Sequence, residues 1–339
     1  MTKRSTFFHH LHPPTIPRRE ARFRYTFGLG GAAFFLFAVL VATGLLEMFY
    51  YVPSIDRANS SVQLITFLAP YGWLVRGVHY WAAQGLVVVV VLHLLRVVFT
   101  GAYKAPRRFN WLLGVSLLVF VVLLDFTGYV LRWDADIEWA LLVGTNLLKS
   151  IPVIGESLYG LVVGGSEVGS DTVVRFYAWH VFGLALLAVI VIGWHIFRVR
   201  RDGGISSAEP RTPDRITRDD LVRREVVAML IISAALLLLA VVIPPAIGPP
   251  GDFSQLSGEA AAPWFFRWAQ QLLRWGEPLP MGILIPIGML VVLILIPYVV
   301  DRRSAGAGRW FNREGRVAQW VVIGLLATIV GLSLLDVLR

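Results

Sequence analysis

Residues 78–99 read VHYWAAQGLVVVVVLHLLRVVF, an unbroken apolar run that carries one full charge, Arg96, and two histidines, His79 and His93. Coiled as an α-helix it is about 33 Å long, enough to cross about 30 Å of hydrocarbon. Six stretches of the same character recur at about 27–50, 111–131, 178–197, 225–243, 281–300 and 317–337. The first follows an Arg-rich tail and has no small-residue cleavage pattern after it, so it reads as a span and not as a removed leader. The sequence therefore predicts an all-α membrane protein of seven transmembrane helices, a four-helix bundle followed by a three-helix block.

Composition agrees. Of 339 residues, 56% are apolar and 16% charged, with a mean hydropathy of +0.67, which argues against a soluble globular enzyme. The absence of cysteine excludes disulfides, thiolate zinc, cysteine-held iron–sulfur clusters and thioether-linked haem on this chain. Any redox centre must hang on His or Met. The net charge of +9 raises nucleic acid as a partner, but the spans point to the lipid bilayer instead, and no nucleic-acid role is expected. Loops on alternate sides sort the charge: the tail and the connections after the second, fourth and sixth spans hold 23 of the 31 Lys and Arg. By the positive-inside rule the N-terminus is expected in the cytoplasm of a multi-pass cell-membrane protein and the C-terminus outside.

The chain divides into a tail (1–25), an N-terminal domain (26–206), a polar linker (207–224) and a C-terminal domain (225–339). Segment 132–177 is long and partly apolar, which predicts short helices along the outer surface. The connection between the fifth and sixth spans is Pro/Gly-rich and then aromatic, APWFFRWAQQLLRWG. The tail histidines His9, His10 and His12 fit an amphipathic, surface-lying start better than a metal clasp.

Four histidines lie inside spans: His79 and His93 on the second, His180 and His195 on the fourth. A histidine in lipid is costly and needs a partner. A helix–helix hydrogen bond explains any one of them, but not two helices with matching intervals of 14 and 15 residues. At about 100° per residue those steps return to within about 40° and 60° of the same face, about 21–22 Å further along the axis. His79 can thus face His180 near one membrane surface, and His93 can face His195 near the other. Facing imidazoles are an axial pair for haem iron, and two such levels make a transmembrane electron path. Zinc is disfavoured because no further ligand stands at i+3 or i+4. Gly30 and Gly44 on the first span and Gly114 and Gly128 on the third repeat the 14-residue interval, as positions where a flat macrocycle can approach the backbone; close helix packing is the plainer reading of either pair alone. Arg76 and Arg96 stand three residues from His79 and His93, placed to pair with haem propionates.

The segments TFGLGG (26–31), TGLLEMFYY (43–51), GWLVRGVHYW (72–81), HLLRVVFTGAYKAPR (93–107), GYVLRWDADIEWA (128–140), TNLLKSIPVIGE (145–156), RFYAWH (175–180) and HIFRVRRDGGIS (195–206) resemble cytochrome b of the bc1 and b6f complexes. They are closest to the b6-type branch, with a C-terminal half similar to that branch's separate small subunit. The resemblance implies two non-covalent b haems, His79 and His180 on the outer iron and His93 and His195 on the inner one. It places Arg76, Arg96 and Arg200 near propionates or an inner quinone site. It further implies quinol oxidation coupled to proton translocation, a quinone substrate read as menaquinone, a Rieske iron–sulfur protein and a c-type cytochrome as partners, and a homodimeric complex.

Three positions depart from the family pattern. The cysteine that holds a third haem in b6-type proteins is Gly28. The proline of the Gly-Tyr-Val-Leu-Pro-Trp turn is Arg132. The Pro-Glu-Trp-Tyr signature is Ala262-Pro263-Trp264-Phe265, without its carboxylate. Quinol oxidation releases protons and needs a base. Glu259 is the nearest replacement, with Asp252, Asp134, Asp136 and Glu138 as weaker ones, and Trp264 is expected in the quinol pocket. Glu47 and Asp125 sit near span ends and are read as reaching the interface. The missing carboxylate leaves a second function open: a dihaem subunit that exchanges electrons between quinone and a multihaem cytochrome without bifurcation.

Overall fold

The computed structural model describes residues 15–18, 22–206, 214–253, 256, 261–303 and 305–338; His9, His10, His12 and Glu259 lie outside these. In chain order the elements are β1 (Thr15–Pro17), α1 (Leu29–Glu47), α2 (Ala58–Phe67), α3 (Gly72–Phe99), α4 (Arg108–Val130), α5 (Glu138–Lys149), α6 (Gly155–Val163) and α7 (Ser170–Arg201). Then come β2 (Arg215–Thr217), α8 (Arg218–Val242), α9 (Arg267–Leu273), α10 (Leu279–Val300) and α11 (Arg316–Val337). Helices α1, α3, α4, α7, α8, α10 and α11 contain the seven segments long and apolar enough to span, and the chain is a multi-pass membrane protein. The only strands among the described residues form a three-residue antiparallel ribbon, with Ile16 opposite Ile216. It ties the tail to the linker without changing the all-α class.

These helices are apolar all round, as lipid-facing helices must be. Leu230, Ile231 and Leu238 stand bare on α8, where hydrocarbon and not water is the natural neighbour. Helices α5 and α6 are the short helices expected in segment 132–177; α2 and α9 are additional. Helix α7 is not uniform, because Trp179–Leu184 is a π-helical turn between two α-helical lengths.

Helix α1 packs along α3, and α4 packs along α7 and α3. Leu36, Phe37, Ala82, Leu86, Val121 and Ala188 close the centre of this four-helix bundle. The C-terminal helices dock on its outside. Helix α8 lies against α3 so closely that a Cβ on Gly77 would stand 2.8 Å from the Cβ of Ala240, the small-residue contact that lets helices in lipid approach. Pro297 cannot offer an N–H to the Leu293 carbonyl one turn earlier. The Trp111 indole donates to that oxygen at 2.8 Å, fastening α10 to α4. The Trp81 indole does the same for the Ile243 carbonyl at the end of α8 (2.9 Å).

Two loop clusters mark the two ends. At one, the tail side, the Tyr25 hydroxyl donates to the carbonyls of Ser206 and, at 3.2 Å, Gly308, while Arg96 Nε donates to the Tyr25 carbonyl (3.3 Å). At the far side, Asn59 donates to the carbonyls of Arg132 and Gly248, both at 3.3 Å. The tail, linker and α10–α11 connection therefore share one side, as the alternating assignment of loops requires.

A buried charge cluster locks the two halves together on the tail side. Lys104 Nζ lies 2.9 Å from Asp301 Oδ2, with the two side chains 0% and 4% exposed, and also donates to the Ala305 carbonyl at 2.7 Å. The Tyr103 hydroxyl donates to the same Oδ2 at 2.6 Å. Burial, this hydrogen bond and the carboxylate's charge push the Tyr103 hydroxyl above the ordinary phenol range. Removing one member of such a pair strands the other. Asp301→Ala is expected to cost about 3–5 kcal/mol in unfolding of the detergent-solubilised protein, and Asp301→Leu combined with Lys104→Met should recover most of that loss. An Asp301→Ala variant that unfolds with the wild type would show the pair to be idle.

Candidate functional site

Each membrane histidine sits edge-on against a glycine of the neighbouring helix. A Cβ built on Gly44 would stand 3.2 Å from Cε1 of His79, one on Gly30 3.3 Å from His93, one on Gly128 2.8 Å from His180 and one on Gly114 3.5 Å from His195. The glycines thus make room for the imidazoles. Helix α1 seats the rings of α3, and α4 seats those of α7.

His79 and His180 face one another with ring centroids 6.4 Å apart. Two imidazoles bonded from opposite sides to one metal, at about 2.0–2.1 Å per bond, have centroids about 6 Å apart. The hydroxyl of Thr43 donates back to the Val39 carbonyl (2.8 Å) and that of Thr127 to the Leu123 carbonyl (2.9 Å). Each hydroxyl oxygen then accepts from a histidine Nδ1, His79 at 2.8 Å and His180 at 3.0 Å. A proton on Nδ1 fixes the tautomer and orients the ring, and Nε2 of each ring has no hydrogen-bond partner among the described residues.

At the other level His93 and His195 are close enough to couple electrostatically; Nδ1 of His93 is buried without a partner, while His195 faces the backbone of Asn110. The residues present fit two haem groups: a facing ring pair on the far side, a neighbouring pair on the tail side, and a side-chain-free seat beside each ring. Among the described residues no group of three or more metal-ligating side chains competes.

The pattern also resolves the unequal intervals. The π-helical turn Trp179–Leu184 begins beside His180 and absorbs one extra residue. Fifteen residues on α7 therefore keep the register that fourteen keep on α3. Sequence reasoning missed Thr43 and Thr127, although a signal was there: both precede their glycine in a Thr-Gly dipeptide.

A cavity of about 400 Å³ opens between His79 and His180 and reaches Glu47, Arg76, Asp125 and Trp264. Glu47 and Asp125 thus line an interior space, and do not reach the interface as expected. Trp264 lines this cavity, with Pro263 and Phe265 beside it. Arg76 is committed to the protein. It donates to Thr66 Oγ1 (3.2 Å) and to the carbonyls of Pro245 (2.8 Å) and Ala246 (2.9 Å), so it holds the α8–α9 connection over the cavity. Arg96 lies over the Tyr25 ring and keeps one buried nitrogen unpartnered, open to an anion. Arg200 lies in the last turn of α7 on the tail side.

The weaker substitute bases are structural. Asp134 Oδ2 accepts from Arg132 (2.6 Å) and from the Gly248 amide (3.0 Å), Asp136 accepts from Arg132 (2.8 Å), and Glu138 Oε1 accepts from the Asp252 amide (2.5 Å). Arg132, in the family's proline position, has become the hub of this far-side lattice.

Comparison with known proteins agrees with this geometry. The family model "Cytochrome b/b6/petB" matches residues 18–203. The chain is similar to "Cytochrome b6" of Porphyra purpurea, 41% identical over 175 residues that cover 52% of this chain and 81% of that protein. A chain of the solved "Hyperthermophilic respiratory Complex III" shares the fold over 93% of this chain and 92% of its own, with a TM-score of 0.72 at 21% identity, and so extends the likeness through the C-terminal helices. The matched half carries all four histidines with their glycine seats, and the chain belongs to the cytochrome b/b6 family, whose members hold b haems.

Proposed function

We propose that this chain is the dihaem cytochrome b subunit of a quinol-oxidising complex of the complex III type. The observation that carries the reading is the facing imidazoles of His79 and His180, repeated at the other level by the neighbouring His93 and His195, each ring on its glycine. His79 and His180 would hold one non-covalent haem b, and His93 and His195 the other. Bound there, the two groups would supply reversible one-electron iron chemistry at two depths of the membrane.

The chain's own contribution is orientation and exclusion of water. Thr43 and Thr127 hold the far-side rings by Nδ1, and the apolar bundle keeps the path dry. Arg96 would neutralise a propionate at the tail-side haem, and Arg200 belongs to the same side. In the membrane the tail side faces the cytoplasm, as the positive-inside rule requires, so the cavity near Trp264 lies at the outer surface. There it receives a quinol, menaquinol being the one inferred. Residues 26–206 act as the haem-bearing domain, and residues 225–339, joined to it through 207–224, as the domain that completes the outer pocket. A Rieske iron–sulfur protein and a c-type cytochrome would take the electrons, in a homodimeric complex. The absence of a carboxylate from Ala262-Pro263-Trp264-Phe265 supports a second reading, in which the same haem pairs serve a multihaem cytochrome without bifurcation.

Co-purification separates the two readings: a Rieske protein with quinol:cytochrome c reductase activity supports the first, and a multihaem partner with no Rieske protein supports the second. His93→Ala is expected to remove the tail-side haem and leave the other, halving the reduced-minus-oxidised absorbance at the b-haem band; full haem content would refute the ligand set. Gly128→Val should displace His180 and abolish the far-side haem with little effect on the tail-side one. Retention of both haems in Gly128→Val would contradict the seating argument.

A further inference from the structure

Asp125 is the one cavity-lining carboxylate whose orientation is fixed by a chain of hydrogen bonds leading to the aromatic lip. The Trp264 indole is a donor only, and it donates to Gln84 Oε1. That contact turns the Gln84 amide so that Nε2 donates to Asp125 Oδ1, at 3.4 Å. The second oxygen, Oδ2, is shut off from solvent and has no partner. Asp125 itself lines the cavity; a buried carboxyl oxygen without a donor is an unmet demand, and carboxylates inside spans are rare and costly enough to need a reason.

Among the described carboxylates of this region only Glu47 and Asp125 line the cavity; Asp134 and Glu138 also keep one buried oxygen without a partner but do not line it. Asp134, Asp136 and Glu138 hold the far-side lattice. Glu47 also lines the cavity and also has an unpartnered oxygen. It ends α1, three residues toward the far surface from Gly44 and thus about 4.5 Å outward of the His79 level, within electrostatic reach of the fixed cation Arg76. Asp125 precedes Gly128 by three residues on α4, so it stands deeper by a similar distance, beside Gln84, and the hydrogen bond it accepts comes from a neutral amide.

We propose that Asp125 accepts the hydroxyl proton of a quinol bound in this cavity, with Gln84 as the residue that positions it. This rests on the quinol-oxidising reading above. In the step, the quinol O–H bond breaks and an O–H bond forms on the Asp125 carboxylate. A quinolate anion and a neutral carboxylic acid result, and no electron moves. Glu47, on the outward side of the same cavity, is the next carboxylate toward the surface. The base is thus supplied by a transmembrane helix and not by the α8–α9 connection that carries Trp264.

The test uses the full complex with a short-chain naphthoquinol as probe. It reads the steady-state rate, the haem spectrum and the infrared difference spectrum of carboxyl groups, in H2O and D2O, on adding the quinol. Asp125→Asn is expected to lower kcat about 100-fold with both haems retained, and to remove the deuterium-sensitive carboxyl band present in the wild type. Asp125→Glu should restore about a tenth of the rate with the band displaced. If Asp125→Asn does not assemble, Gln84→Leu keeps the carboxyl and should shift its band while slowing turnover. A rate within about twofold of wild type in Asp125→Asn, a band that persists in it, an unmoved band in Gln84→Leu, or a loss confined to Glu47→Gln would each overturn the role of Asp125. A wild-type complex that neither oxidises nor binds the quinol would overturn the functional reading itself.

Discussion

The contact on which the molecule depends is an imidazole edge resting on a glycine. A histidine inside hydrocarbon must satisfy two nitrogens without water, and its ring must be held still if one nitrogen is to meet a metal. Four helices solve this in two pairs. One member of each pair gives up side chains at two positions one interval apart, and the other inserts its rings there. Because the seat and the ring are on different helices, ligand geometry and helix packing are one constraint. A methyl group at a seat would push apart the same helices that bring the rings face to face.

The two levels are built alike but finished differently. On the far side each ring is oriented by a threonine hydroxyl that has already given its proton to its own helix. On the tail side no threonine plays this part: His93 Nδ1 is buried without a partner and His195 faces the Asn110 backbone. A hydrogen bond to the far nitrogen of a metal-bound imidazole alters its basicity and so the potential of the metal. Two chemically identical ligand pairs can in this way hold unequal centres, as a directional electron path needs.

Outside the bundle, the polar residues do more holding than reacting. Arg76 carries the α8–α9 connection, Arg132 gathers two aspartates, and the Lys104–Asp301 pair with Tyr103 joins the two halves. Charges that sequence reading assigns to ligands or bases are in large part spent on loops that cross the ends of the spans. That leaves the cavity wall with few candidates, and the short relay from Trp264 through Gln84 to Asp125 stands out because nothing in the scaffold uses its far end.

The sequence by itself determined the spans, the pairing of loops on two sides, the four histidines and the glycines that serve them. The physical reason is that lipid forbids partial solutions: apolar length, charge in loops and costly polar residues leave a mark in one dimension. Glu47 and Asp125 were legible as charges in spans but not as neighbours of one cavity, since a helix end near the membrane surface can point to headgroups or inward with the same residues. Only the tertiary structure decided that. It also decided how an interval of fifteen residues matches one of fourteen, because a π-turn changes register without changing composition. Which oxygens are satisfied and which are left open depends on contacts between helices far apart in the chain, and no local pattern encodes them.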